Sequence, residues 1–139
     1  MSEDGLDDFR DPPAAAESHP KEAPALFYGS VDEFVRERLR HMYTRRVGGS
    51  SPRRWAEDWW NYPEAISRLE SLWRAWEYLR QDPATGMSVW WRDHADHHME
   101  VLLSSDGPFR ASKDENPEDG TLPYRKPPRE LFPDVRLEG

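Results

Sequence analysis

The chain of 139 residues contains no cysteine. This excludes a disulfide framework and any zinc site built on thiolates. It has no apolar run near the roughly 20 residues that a membrane-spanning helix needs. No charged start leads into an apolar stretch of the kind that heads a secretory signal. No membrane contact is therefore expected, and the expected location is cytoplasmic. Lysine is nearly missing: all eleven basic residues between 30 and 109 are arginine. No glycine loop fit to cradle a phosphate is present, because Gly48-Gly49 lacks the lysine and the spacing of a P-loop. No nucleophile stands beside an obvious base, so neither an enzyme nor a cofactor is expected. There is no internal repeat and no heptad run long enough for a coiled coil.

The charge that is present is uneven. Net charge is −8, yet residues 1–29 hold seven acids against two bases, 30–109 thirteen against eleven, and 110–139 seven against six. All seven tryptophans lie between Trp55 and Trp91. Composition thus predicts one all-α domain, residues 30–109, a small Trp-rich bundle of four to five helices. A disordered acidic arm, 1–29, precedes it, and a disordered tail rich in proline and mixed charge, 110–139, follows. Within the arm, Leu26-Phe27-Tyr28 reads as an ordinary lead-in to the first helix. Docking onto the domain edge is the alternative.

The organising stretch is 63–80. Ala65, Ile66, Leu69, Leu72, Trp73, Trp76 and Leu79 recur at helical spacing and fill a stripe roughly 140° wide. Pro63 suits the first turn, Glu64–Arg68 and Glu70–Arg74 support the outer face, and Asp82-Pro83 ends the helix. A first helix starts at Ser30, whose spacing to Glu33 is that of a capping box, and runs to Gly48-Gly49. Its face is Val31, Phe34, Val35, Leu39, Met42 and Tyr43. Arg38 falls inside that face, so either its stem lies along the core or its head meets a carboxylate or an indole. Ser51-Pro52 reads as the start of a second helix that turns Trp55, Trp59 and Tyr62 inward. Met87–His94 reads as a fourth helix, with a strand as the alternative. Asp96 then caps a short fifth helix as far as Leu103, and Phe109 tucks back as a lid.

Three constellations carry possible chemistry. Asp93, His94, Asp96 and His98 are donors suited to zinc or another first-row metal, with His94 and His98 on one face if the helix is unbroken. The plainer reading is a polar corner at Asp96. Second, residues 36–54 hold seven arginines against Glu37 alone. Arg45, Arg46, Arg53 and Arg54 of this segment could contact phosphates, although the acidity of the whole chain opposes approach to nucleic acid. Third, seven tryptophans exceed what a small core needs, and Trp60, Trp90 and Trp91 are candidates for half-covered edges of a partner groove.

The phrases Arg53-Arg54-Trp55, Trp59-Trp60-Asn61-Tyr62-Pro63-Glu64-Ala65, Arg68 to Glu77, Thr85 to Asp96, and Asp106-Gly107-Pro108-Phe109 carry a resemblance. The chain resembles the actinobacterial family numbered forty-nine thirteen among domains of unknown function, over about residues 30–110. The resemblance brings no activity, cofactor or catalytic residue. It implies an accessory role on mobile elements, near conjugation or phage-like genes. Similar proteins commonly carry Asp-Pro-His-Met where this chain has Asp96-His97-His98-Met99, which favours the corner and argues against His97 as a ligand. The leading expectation is a non-enzymatic interaction module with a protein partner or a second copy. Nucleic-acid binding through 36–54 is the alternative, and a metal site at His94/His98 is the third reading.

Overall fold

The computed structural model describes residues 25–137. Among these the chain forms three helices with short 3-10 turns and no strand. Residues 1–24, most of the expected acidic arm, lie outside the described residues.

Helix α1 runs without a break through Val31–Phe34, Val35–Leu39 and Arg40–Met42, the middle segment wound as a π-helix. Its start is as the sequence predicts: the Ser30 hydroxyl accepts from Glu33 N at 3.1 Å. The Glu33 carboxylate reaches one residue further back than a standard capping box, to Gly29 N at 2.8 Å. Helix α2, Pro63–Leu79, is the longest run of unbroken α-helix and opens on its proline. Ala65, Leu69, Leu72, Trp73 and Trp76 are buried along one side. Both outer ion pairs form, Glu64–Arg68 at 3.0 Å and Glu70–Arg74 at 3.1 Å. Helix α3 runs through Gly86–Val89, Trp90–Ala95 and Asp96–Leu103, again with a π-wound middle. Gly86 sits where a Cβ would come 1.8 Å from the Leu79 carbonyl, so the link from α2 to α3 can be this tight only at glycine.

Four expectations are corrected. The fourth and fifth helices are one helix, because Asp96 has helical dihedrals (φ −61°, ψ −42°) and caps nothing. The phase break in the apolar pattern, a step of five from Trp90 to Ala95, is absorbed by the π turn rather than by a corner. The second helix does not form; its stretch is irregular apart from one 3-10 turn, Trp59–Asn61. Ser51 closes a local turn instead of capping, its hydroxyl donating to Arg46 O at 2.8 Å and accepting from Arg53 N at 3.1 Å. The first helix stops at Met42, not at Gly48-Gly49. Finally, residues 110–137 are not a loose tail: Leu122 is fully buried, and Trp55 Nε1 donates to Pro123 O at 2.9 Å.

The last three corrections share one cause. Residues 43–62 lie beside 110–125, and the two segments satisfy each other's peptide groups. Glu57 N donates to Asp114 Oδ2 at 2.8 Å, Ser112 Oγ to Trp55 O at 2.8 Å, and Arg125 N to Glu57 O at 2.9 Å. Such partners, more than fifty residues away in sequence, outweigh the local helix signals. Phe109 does tuck in, edge-on to Trp55 at 5.1 Å and to Tyr62 at 5.0 Å.

The lead-in docks as well. Tyr28 is buried, and Glu77, 4% exposed, accepts from Phe27 N and Tyr28 N, both at 2.9 Å. The same carboxylate accepts from Trp73 Nε1 at 2.9 Å and Arg80 Nε at 3.2 Å. Arg38 takes the indole option, its guanidinium 4.6 Å from the Trp76 ring while Nε donates to the Tyr28 hydroxyl at 2.8 Å. Arg136 closes the far end, donating to Phe27 O at 2.8 Å and pairing with Asp134 and Glu33.

Glu77→Gln should therefore cost about 2–4 kcal/mol of stability, the scale for disrupting a buried charge and its hydrogen bonds. The exposed Glu70→Gln should cost about 0.5 kcal/mol or less. Denaturant midpoints of the two variants check this; equal losses would remove Glu77 from its role.

Candidate functional site

The arginine turn, residues 45–54, is held from inside by uncharged groups. Gly48 has φ +77°, and a Cβ there would lie 2.2 Å from Asp114 O, so no side chain fits. Gly48 N donates to Arg53 O at 3.1 Å and Ser51 N to Gly48 O at 2.9 Å. Asn116 is the hub: its oxygen accepts from Val47 N at 2.7 Å, and its amide donates to Arg45 O at 2.9 Å and Thr121 O at 3.0 Å. The backbone of the turn is thus fixed without using the side chains of Arg46 and Arg53.

Those side chains divide sharply. Arg36 pairs with Asp32 and Glu37, both at 2.9 Å. Arg38 covers Trp76, and Arg40 donates to Leu122 O and the Thr121 hydroxyl, both at 3.0 Å. The basic run 36–54 is therefore not one open field. Arg45 lies over the Tyr43 ring at 4.2 Å, and Arg54 donates to Ser51 O at 2.7 Å. Arg46 and Arg53 are exposed, and among the described residues neither side chain has an ion pair or a hydrogen bond.

Three open clefts surround the turn. One of about 480 Å³ lies between Arg45–Gly49 and residues 115–120. A second, about 410 Å³, is walled by Tyr43, Arg45, Arg53 and Glu100. The third, about 510 Å³, is rimmed by Arg54, Arg110 and Lys113 beside Gly48 and Gly49. Trp91, half-buried, stacks on Tyr43 with centroids 5.7 Å apart and planes at 26°. Trp91, Tyr43 and Arg45 thus form a ladder leading to the second cleft. The π turn aligns Asp96, five residues past Trp91, toward the same tyrosine. Burial, chiefly, raises the Tyr43 hydroxyl's pKa, with Arg45 opposing and Asp96 adding to the rise.

The structure therefore brings Arg45, Arg46, Arg53, Arg54 and Trp91 to one region. It does not bring Trp60 or Trp90 there. Trp90 is fully buried, its Nε1 donating to Leu72 O at 3.0 Å, so it offers no edge to a partner. Trp60 is half-buried, its Nε1 donating to Arg125 O at 2.9 Å, and it lines none of the three clefts. Arg110, Lys113 and Asn116 join the turn from outside the expected domain 30–109, in the stretch that composition reads as a tail. The polar turn Asp119-Gly120 running into Thr121-Leu122-Pro123 was the one signal there.

The histidine cluster is differently employed. Arg68 approaches His98 Nδ1 at 3.0 Å, and a guanidinium only donates, so Nδ1 is the acceptor of a neutral ring. Burial first, then Arg68 and the neighbouring His97 and His94, holds the His98 pKa below its usual value. Asp93 is paired with Arg92, which keeps its carboxyl below the ordinary range. His94 is half-buried on the same helix. Among the described residues no three His, Asp or Glu side chains are grouped to hold a metal ion.

A family model described as Domain of unknown function (DUF4913) matches residues 28–131. The chain belongs to this family. Neither a curated protein nor a solved structure matches the chain. The DUF4913 match reaches past residue 110, in line with the packing of 110–131 onto the helices. Among the described residues of this DUF4913 domain, no helix is long and apolar enough to cross a membrane.

One buried polar group is built elsewhere. Asp32, 7% exposed, accepts from the Tyr124 hydroxyl at 2.7 Å and from Arg36 at 2.9 Å. Burial chiefly, then Asp32, pushes the Tyr124 pKa from 10.0 up to about 12. A raised folded value means that this contribution is intact below pH 10.0 and lost as pH climbs through about 12. Tyr124→Phe should delete the last-titrating step of the tyrosinate absorbance curve and leave the earlier steps in place. For His98 the sign is opposite: a lowered folded value gives stability present above 6.5 and lost as pH falls toward the folded value. His98→Gln should flatten the acid side of the melting-temperature profile. A slope identical to that of the parent would reject the Arg68–His98 pairing.

Proposed function

We propose that this domain is a non-enzymatic interaction module, an accessory protein of a mobile element, and that its working surface is the arginine turn. The observation that carries this reading is the division of labour at the turn. Its backbone is fixed by Asn116 and Ser51, while Arg46 and Arg53 remain unpaired among the described residues. A preorganised loop that presents arginine beside a stacked Tyr43–Trp91 pair has the residue types of interface hot spots. The chemistry suits an acidic protein segment. The mobile-element setting rests only on where similar proteins tend to be encoded.

The double variant Arg46→Ala/Arg53→Ala should leave the melting temperature within about 2 °C, because surface changes of this kind shift stability little. It should weaken capture of a partner, or of a second copy, by about tenfold or more, at roughly 1 kcal/mol or more for each hot-spot arginine. Co-purification from the native host and sedimentation of the pure protein check this. Undiminished capture would reject the surface.

Nucleic acid is the second reading, favoured by one observation: Arg54, Arg110 and Lys113 form a second row of cations around the cleft at Gly48-Gly49. Under it, oligonucleotide binding weakens steeply with salt, and the double variant lowers the salt slope by about two. No binding at low salt would dispose of this alternative.

A further inference from the structure

The arginine turn carries a local excess of positive charge on a body that is otherwise slightly acidic. Its three clefts are bordered by Arg45, Arg46, Arg53, Arg54, Arg110 and Lys113. The acids bordering them are Glu100, Glu115 and Asp119. Asp119 is already committed, accepting from Thr121 N at 3.1 Å and from the Thr121 hydroxyl at 2.8 Å. Such a surface calls for an acidic ligand with a few apolar groups for the Tyr43 and Leu103 side of the second cleft.

The chain itself contains one. Residues 3–11 hold five acids, Glu3, Asp4, Asp7, Asp8 and Asp11, against Arg10, and place Leu6 and Phe9 among them. The described chain begins at Ala25, whose carbonyl is held by Arg80 at 2.9 Å. Residues 12–24 thus provide thirteen linking residues, rich in alanine and proline. Their greatest extension is about 45 Å. Helix α1, Val31 to Met42, separates the lead-in from the arginine turn by about 18 Å along its axis, well within that reach. Tethering also raises the segment's effective concentration to the millimolar range, so that a weak contact suffices to fill the site.

We propose that residues 3–11 dock intramolecularly onto the arginine turn and compete there with its partner. This rests on the reading of the turn as an interaction surface and adds the regulation of that surface. Charge complementarity and reach select this occupant. An external partner must then displace an acidic segment that is already in place, so its apparent affinity is reduced by the fraction of closed molecules.

The absence of cysteine makes the test clean. The full chain with Ser2→Cys takes a single spin label, and amide signals are read by NMR. Signals from 48–54 and 110–113 should lose most of their intensity, and recover at high salt or when Asp4, Asp7, Asp8 and Asp11 are changed to asparagine. Broadening spread evenly, absent, or centred on another face would overturn the proposal. So would broadening found only when labelled and isotope-enriched chains are mixed, since the occupant would then be a second copy. If the segment proves undocked while Arg46→Ala/Arg53→Ala still loses the partner, the interaction surface stands and only its self-occupation falls.

Discussion

Peptide groups buried outside helices need partners, and this fold buries many of them. The three helices satisfy their own backbones. The long passages 43–62 and 104–137 do not, yet each sends side chains into the core, among them Trp55, Trp59, Phe109 and Leu122. Side chains supply what is missing. Glu77 receives two main-chain amides of the lead-in, Asn116 serves both the arginine turn and residue 121, and Asp114 and Ser112 bond the main chain at Glu57 and Trp55. Each such bond is worth on the order of 1 kcal/mol, but leaving the group unmade costs more. The polar residues of the loops are thus part of the core's accounting. Trp59 Nε1 is the exception among the described residues, buried without a partner.

The same constraint explains why arginine replaces lysine here. Arg38 sits over Trp76 and still donates to Tyr28, Arg80 lies near Phe27 and Trp76 while pairing with Glu77, and Arg74 covers Trp73 at 4.2 Å. A planar guanidinium can stack on an indole and donate sideways at once, which a lysine ammonium cannot. Arg38, Arg74 and Arg80 are used in closing the tryptophan core, and Arg36, Arg40 and Arg68 in bonds to acids, histidine or main chain. Arg46 and Arg53 stand apart because their turn is secured by Asn116 and Ser51 instead. The proposed surface is in this sense what remains after the structural needs have been met.

Legibility varied with the distance over which each element is decided. Helix 63–79, its proline start, its ion pairs and its buried stripe could be read directly, because spacing and propensity are local. The cap at Ser30 and the tuck of Phe109 could be read as well. Glu77 could have been suspected: it lies four residues past Trp73, on the inward stripe, where an acid needs a buried donor. The turn 45–54 was found as a cluster of arginines, but not its shape. Arg110 and Lys113 could not be added to it, since nothing near them in sequence indicates that residues 110–125 lie against 43–62.

By itself the sequence determined an all-helical domain around one amphipathic helix, a tryptophan core, and a concentration of arginine before residue 55. It also determined that the apolar phase slips between Trp90 and Ala95. Tertiary structure alone decided that the slip is taken up by a π turn and not by a corner. It decided too that the Ser51 stretch is irregular, that Trp90 is interior, and that the last third of the chain packs against the helices. The physical reason is the same in each case. Local signals of capping and propensity are worth about 1 kcal/mol, and they yield when distant residues offer buried peptide groups and indoles better partners.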